Sequence, residues 1–282
     1  MDVFQTIAEM KSASRGARRK GLRVGLVPTM GYLHEGHLAL VRKARELSDW
    51  VAVSIFVNPT QFGPSEDLAS YPRDLARDTE LCRGAGADAL FVPAVEEIYP
   101  AGFQTYVTVE RLSEPLCGAA RPGHFRGVAT VVAKLFNIVA PDVAVFGEKD
   151  YQQLQVIRRM ARDLAMDVEV VGLPTVREAD GLAMSSRNTY LSAEERERAA
   201  SLSQSLALAQ ELVTSGTRGT PEILERVGAL LERAGGRVEY AELRDAETLE
   251  TLEEVRSSAV LALAVRIGRT RLIDNRVLSV PV

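Results

Sequence analysis

The sequence predicts an α/β chain in which a doubly wound parallel sheet is followed by a smaller α+β domain. Three observations lead there. Strand-length apolar runs alternate with amphipathic stretches through residues 1–175, the βαβ pattern of a parallel sheet flanked by helices. One run, Trp50–Val57 (WVAVSIFV), is almost wholly apolar, as in a strand buried on both faces. Beyond Pro174-Thr175-Val176-Arg177 the alternation stops, so we expect a first domain at 1–175 and a second at 176–282.

In order, Val3, Phe4, Ile7, Ala8 and Met10 sit at roughly helical spacing ahead of the first strand, Leu22–Val27. Pro28–Gly31 reads as a turn and His37 as the start of an amphipathic helix running to Leu47. The second strand is Trp50–Val57, ending in the polar loop Asn58-Pro59-Thr60-Gln61-Phe62-Gly63. A helix over Asp74–Gly86, a strand over Ala89–Val92 and a short edge strand over Thr105–Val109 follow. After the turn Arg121–Gly127 the segment Val128–Val139 reads as a long buried helix. Val143–Phe146 is the fourth core strand, Tyr151–Met166 a helix and Val168–Val171 the fifth strand. The polar, small-residue segment Arg177–Asn188 reads as a mobile loop. Ser192 with Glu195 forms a capping box for a helix to about Val213, and Thr220-Pro221 opens a helix ended by Gly235-Gly236. Val238–Leu243, Val260–Ile267 and Arg271–Val280 read as strands, the last two joined in a hairpin through Gly268-Arg269-Thr270.

Composition excludes several classes. With 282 residues, 46% hydrophobic and 26% charged, the chain can bury a full core in two domains. A net charge of −4 argues against a protein that coats nucleic acid or a membrane. No run approaches a membrane span, and Met1-Asp2-Val3 begins nothing like a signal peptide. Cys82 and Cys117 are isolated, without metal spacing, so we expect reduced structural thiols, a cytoplasmic location and no protein metal cage.

Ligands of a doubly wound sheet bind beyond the carboxyl ends of its strands. By that rule the loops at 28–37, 58–63 and 147–153 open on one edge. The first holds His34 and His37 in an H-x-G-H pattern at a helix start, where helix N–H groups favour anions such as phosphate. Taken alone, the pair reads equally as two metal ligands or as polar loop residues. The pattern resembles the signature of the nucleotidyltransferase superfamily, which includes the class I aminoacyl-tRNA synthetases and in which the imidazoles contact nucleotide phosphates. The implied fold is Rossmann-like, of the HxGH nucleotidyltransferase type.

A closer resemblance follows from six motifs. PTMGYLHEGH, SIFVNPTQF, RPGHFRGV, FGEKDYQQL, PTVREADGLAMSSRN and RLIDN, in this order and spacing, resemble the pantoate–β-alanine ligases. The likeness spans essentially the whole chain, although residues 192–260 carry little that is diagnostic. It implies a reaction in which ATP and pantoate give an enzyme-bound pantoyl adenylate and pyrophosphate, after which β-alanine displaces AMP. It also implies a homodimer, which an edge strand at 105–109 would support, and a second domain that closes over the ATP site.

The residues account for such chemistry. Attack of a carboxylate on the α-phosphorus brings two anions together, so positioning and charge stabilisation dominate. His34, His37, Lys149 and Arg187 are the candidate catalytic donors, with Ser185 and Ser186 as neutral ones. Alone, Lys149 reads instead as an ion pair with Glu148 or Asp150, and Arg187 as a solvated charge. The ATP site is expected to include Met30, Gly31, Tyr32, Leu33, His34, Glu35, Gly36, His37, Gly147, Glu148, Lys149, Asp150, Val176, Met184, Ser185, Ser186 and Arg187. The resemblance puts Gly147 and Asp150 near the ribose and Val176 and Met184 near the base. Mg²⁺ is expected to bind mainly through phosphate oxygens.

For pantoate and β-alanine the candidates are Gln61, Gln153, Asn58 and Met30. A nucleophilic carboxylate is better oriented by neutral amides than clamped by an arginine, which would quench its attack. Phe62 offers apolar surface, and His124 reads as a wall of the pantoate site. Two other classes compete. Another HxGH nucleotidyltransferase with a phosphorylated substrate would call for basic residues in NPTQFG, which has none. A non-catalytic nucleotide-binding module would not need both histidines together with Lys149 and Arg187.

Overall fold

The computed structural model of the chain describes residues 1–64 and 66–280; Pro281 and Val282, assigned to the second domain, lie outside the described residues. In chain order the elements begin β1 (Asp2–Phe4), α1 (Ile7–Arg19), β2 (Val24–Thr29), α2 (Glu35–Leu47), β3 (Trp50–Ile55), α3 (Leu75–Gly84), β4 (Ala89–Phe91) and α4 (Val95–Ile98). They continue α5 (Cys117–Ala120), α6 (His124–Val139), β5 (Val143–Gly147), α7 (Tyr151–Asp163), β6 (Glu169–Leu173), α8 (Ala193–Ala199), α9 (Ser201–Thr214), α10 (Thr220–Arg233), β7 (Arg237–Asp245), β8 (Ala259–Ile267) and β9 (Thr270–Leu278). None of the described helices is long and apolar enough to cross a membrane.

The chain divides into two compact units. The first comprises Met1–Ser113, Arg121–Glu148 and Gln153–Pro174; the second comprises Glu114–Ala120, Lys149–Gln152 and the chain from Thr175 onward.

The first unit holds a six-stranded sheet in the order β1-β4-β3-β2-β5-β6, with every pairing parallel. Successive strands step outward from β2 through β3 to β4, then continue on its other side with β5 and β6. Strand order therefore reverses between β2 and β5, where doubly wound sheets bind their ligands. Val27, Val51, Val53, Leu90, Val143 and Val145 are buried together with Leu38, Val41 and Ala44 of α2. The sheet edge strand β1 departs from the sequence expectation, which ran Val3 and Phe4 into one helical stripe. Thr6 ends that stripe: its side chain caps α1 and exchanges hydrogen bonds with Glu9, leaving Asp2–Phe4 to pair with Ala89–Phe91.

Strand β2 runs two residues later than expected and contains Pro28. The Val24 carbonyl accepts from Asp142 N–H and the Thr29 carbonyl from Phe56 N–H, so alternation turns Pro28 toward β5. The register with β5 spans only Gly25 and Leu26, and the missing proline N–H interrupts no ladder bond. Helix α2 starts at Glu35 rather than His37, because His34 takes the N-cap position. Helix α6 likewise starts early, at His124, after Gly123 in the left-handed region at φ 85°. The expected strand at 105–109 is irregular. Val107 N–H bonds the Thr130 hydroxyl of α6, and the Arg126 guanidinium lies 3.7 Å from the Tyr106 ring centroid. The alternation there reflects packing on a helix, and the edge-strand argument for a dimer falls with it.

The second unit holds an antiparallel sheet, β7-β8-β9, whose Leu261, Leu263 and Val265 pack with Leu202, Leu206, Ile223 and Val227 of α9 and α10. β8 and β9 join through a two-residue loop, Gly268-Arg269, since Ile267 and Thr270 are already paired. The expected single helix over 192–213 is broken at Ala200, which ends α8 with its N–H on the Arg198 carbonyl while its own carbonyl already accepts Gln204 N–H of α9. Segment 177–188 is tied down rather than loose. Arg177 and Ala183 form an antiparallel bridge, and Leu182, Ala183 and Asn188 are buried. Arg177 forks onto Asp274 of β9 at 2.6 and 2.9 Å.

Two substitutions probe this packing. Asp274 is buried, so Asp274→Ala strands the Arg177 charge and should cost about 3 kcal/mol or more in urea denaturation; a loss under about 1 kcal/mol would reduce the pair to the worth of a surface bridge. Gly127 of α6 faces the 59–61 turn, and a Cβ there would sit 2.4 Å from the Thr60 carbonyl oxygen and 2.7 Å from Gln61 N. Backbone cannot step aside cheaply, and Gly127→Ala should cost about 1–3 kcal/mol, with an unchanged or raised denaturation midpoint as the contrary result.

Candidate active site

Beyond β2 the chain turns sharply through Gly31 and Tyr32, both at positive φ, 83° and 52°. A left-handed tyrosine needs outside support, and Asp78 of α3 provides it. That buried carboxylate accepts the backbone N–H groups of Tyr32 at 2.7 Å and Leu33 at 2.8 Å. Thr29 secures the other end, its hydroxyl donating to the Ser54 carbonyl and accepting from Gly31 N–H. The turn delivers His34 to the N-cap of α2, with His37 on its first turn. The two imidazole centroids are 4.1 Å apart and tilted by 41°. His34 N–H donates to His37 Nδ1 at 3.3 Å, so the neutral His37 ring carries its proton on Nε2. Imidazole N–H and helix N-terminal dipole thus share one strand end, an anion-favouring combination.

The loop after β3 is organised by Asn58, 1% exposed. Its Oδ1 accepts from Thr60 N–H, the Thr60 hydroxyl and the Tyr99 hydroxyl, while Nδ2 donates to the Gly127 carbonyl and to Gln61 Oε1. Backbone groups cannot exchange roles, so these contacts fix which way the Asn58 amide faces and, through it, that of Gln61. Gln61 Oε1 is committed to Asn58, and Nε2 points at Met30 Sδ, 3.2 Å away. A buried glutamine therefore offers amide N–H groups next to the β2 loop. Asn58 thus engages both ends of its amide within the protein and holds the Gln61 amide. Burial raises the Tyr99 hydroxyl above its ordinary range and keeps it a donor. Burial first, and the Asp78 carboxylate second, push the Cys82 thiol up to about 12, so it is no nucleophile.

The other expected residues fall as follows. Glu35 pairs with Arg42 along α2, and Gly36 lies in the first turn between the histidines. Gly147 ends β5 and Glu148 follows it, at the switch-point edge of the sheet. Gln153 is half-buried in the first turn of α7. The His124 ring is buried against the Gln61 backbone, with Nδ1 2.8 Å from the Gln61 carbonyl oxygen.

Lys149, Asp150, Val176, Met184, Ser185, Ser186 and Arg187 belong to the second unit. Lys149 is half-buried and makes no ion pair among the described residues, so the alternative of a pair with Glu148 or Asp150 is not what the structure displays. Asn275 of β9 donates to its carbonyl at 2.8 Å. Val176 and Met184 are joined by a backbone hydrogen bond, which closes the small hairpin before Ser185. The Ser185 hydroxyl accepts Arg187 N–H, and Asn188 ties the segment to Glu178 and to the Ala183 carbonyl. Among the described residues no group of three His, Cys, Asp or Glu side chains has metal-holding geometry. An ion bound through phosphate oxygens and water needs no such cage.

Sequence reasoning missed Asp78, Tyr99, Glu66 and Arg121. Asp78 reads as an ordinary acidic residue near a helix start, and Tyr99 lies 41 residues from the asparagine it bonds. No local pattern marks either. Arg121 stands inside the quoted RPGHFRGV motif, which was a signal available to the eye.

Comparison with known proteins bears on this geometry. The family described as "Pantoate-beta-alanine ligase" matches residues 2–277. A pantothenate synthetase of Geobacter sulfurreducens is 57% identical over 280 residues, covering 99% of each chain. The crystal structure of pantothenate synthetase from Thermus thermophilus superposes with a TM-score of 0.92 at 50% identity, covering 98% of this chain and 99% of that one. A pantoate-beta-alanine ligase from Francisella tularensis, complexed with beta-gamma ATP and beta-alanine, gives a TM-score of 0.82 at 33% identity, over 98% and 97% of the two chains. With its motifs, its sheet and its whole length in agreement, this chain belongs to the pantoate–β-alanine ligase family.

Proposed function

We infer that the chain is an ATP-dependent ligase that condenses (R)-pantoate with β-alanine through an enzyme-bound pantoyl adenylate, releasing pyrophosphate and then AMP. The observation that carries this reading is the pair of neighbouring loops beyond β2 and β3. One offers imidazole and helix N-terminal donors for phosphate, the other a neutral amide fixed with its Nε2 toward Met30 of the first loop. Pantoate needs such an amide, because its carboxylate must be oriented without losing its nucleophilicity. Membership of the ligase family and a relative complexed with beta-gamma ATP and beta-alanine support the same substrates.

In this proposal Gln61 and Gln153 orient pantoate, Gln61 also receives β-alanine, and Met30 faces the pantoate methyl groups. His34 and His37 donate to the α- and β-phosphates as charge spreads over their oxygens. Lys149, Ser185, Ser186 and Arg187 supply the further donors, while Gly147, Asp150, Val176 and Met184 hold the nucleoside. Mg²⁺ would enter with ATP, held through phosphate oxygens rather than by a protein cage, and would supply neutralisation of phosphate charge alongside the donors named here. In this proposal activation falls on the substrate carboxylate rather than on a covalent enzyme intermediate. A homodimer, implied by the family resemblance, belongs to the same proposal and is checked by sedimentation. The two free, buried thiols suit a reducing compartment, and we place the reaction in the cytoplasm.

Isotope labelling tests the adenylate. With ¹⁸O in the pantoate carboxylate, one label should appear in AMP after a full turnover, and pyrophosphate should form before β-alanine is added. Label in inorganic phosphate with ADP formation would mean an acyl phosphate and would overturn the mechanism.

The donor roles have their own test. Lys149→Ala or His37→Ala should lower turnover about 10²–10³-fold, the usual worth of a donor aimed at developing charge, with little change in thermal stability. A folded variant with wild-type turnover would remove that residue from the reacting phosphate.

A further inference from the structure

We propose that Arg121 and His124 are positioning residues for the carboxylate substrate, acting through the backbone of Gln61; the proposal rests on the ligase reading. His124 Nε2 lies 3.1 Å from Arg121 Nη1, and Nδ1 lies 2.8 Å from the Gln61 carbonyl oxygen. A guanidinium has donors and no acceptor. Nε2 must therefore accept from Arg121, the ring proton sits on Nδ1, and Nδ1–H donates to Gln61. Arg121 Nη2 adds a longer bond to the same carbonyl at 3.3 Å. Gly123, at φ 85°, permits the tight turn closed by His124 N–H on the Arg121 carbonyl, which sends both side chains to one oxygen.

Arg121 is itself oriented by a bidentate pair with Glu66, at 2.6 and 2.7 Å, and Glu66 also accepts Gly63 N–H. Burial alone would raise Glu66, but the Arg121 hydrogen bonds and charge outweigh it and hold the carboxyl near 2. The Glu66 carboxylate stays ionised throughout the neutral range. Gln61 is thus held at two ends, its side-chain amide by Asn58 and its carbonyl by His124 and Arg121. The first grip sets which way the amide faces. The second sets where it stands, and a carboxylate bound to that amide inherits both.

The chain has three histidines, so the ¹⁵N-histidine spectrum of the whole enzyme contains three rings, with His34 and His37 assigned by their loss in His34→Asn and His37→Asn. We expect His124 as the Nδ1–H tautomer and His37 as Nε2–H; an Nε2–H His124 would overturn the proposal without reference to activity. Kinetics provide the second arm. His124→Asn places an amide N–H where Nδ1–H was, whereas His124→Gln places it where Nε2 was. Loss of one hydrogen bond is worth about tenfold, so His124→Gln should raise the pantoate KM by about that factor while the ATP KM and the melting temperature hold. His124→Asn should restore the pantoate KM, and Arg121→Lys should raise it as His124→Gln does. Equal effects of Asn and Gln, or parallel losses of ATP and pantoate binding, would sink the positioning role alone. A folded wild-type enzyme that releases no pyrophosphate with pantoate would sink the ligase reading instead.

Discussion

The parallel pairing of β2 with β3 is the constraint on which the first unit's chemistry depends. The register runs unbroken from Val24 opposite Trp50 to Thr29 opposite Ile55, so both strands end at the same level and their loops leave the sheet side by side. Thr29 then bridges the two strand ends through Ser54. Everything built afterwards, the left-handed turn at Gly31 and Tyr32 and the 59–61 turn beneath α6, starts from that common edge. Were either strand shifted by one residue, its side chains would exchange faces and Met30 would no longer meet Gln61.

What the register brings near, buried polar side chains then fix. Asp78 and Asn58 do comparable work on the two loops: each is 1% exposed and is anchored by two backbone groups whose donor or acceptor role cannot change. An unpaired polar group at such depth costs about 1–3 kcal/mol, so alternative loop conformations are penalised by these side chains as well as by packing. The arrangement resembles preorganisation in catalysis, where the donors already point the right way before charge develops.

Much of this was legible in the sequence because the information was local. Strand runs such as Trp50–Ile55, the capping box at Ser192 and Glu195, and the motif loops all lie within a few residues of what they specify. The failures have the opposite character. Strand β1 is three residues long and pairs with residues 85 or more positions away, too short to show a period of two against a period of 3.6. Residues 105–109 show that period, but the partner is α6 rather than a strand. Asp78 grips a loop 45 residues earlier in the chain, and the tautomer of His124 depends on Arg121 facing one nitrogen and Gln61 the other. Helix boundaries moved where a cap outranked the hydrophobic pattern, as His34 does for α2.

The interleaved chain path has a consequence for biosynthesis. The polypeptide passes between units five times, after Ser113, Ala120, Glu148, Gln152 and Pro174. The short visits are secured by partners made much later: the Cys117 thiol meets the Tyr240 hydroxyl, Tyr151 donates to the Ala246 carbonyl, and the Lys149 carbonyl accepts from Asn275. On the ribosome these early segments emerge well before those partners exist, at about 5–20 residues per second. The first unit therefore can collapse while two of its connecting passages still await strands β7 and β9. Lys149 reaches its folded setting only when almost the entire chain has been synthesised, so a truncated or prematurely released product lacks the finished lysine site even if its parallel sheet has formed.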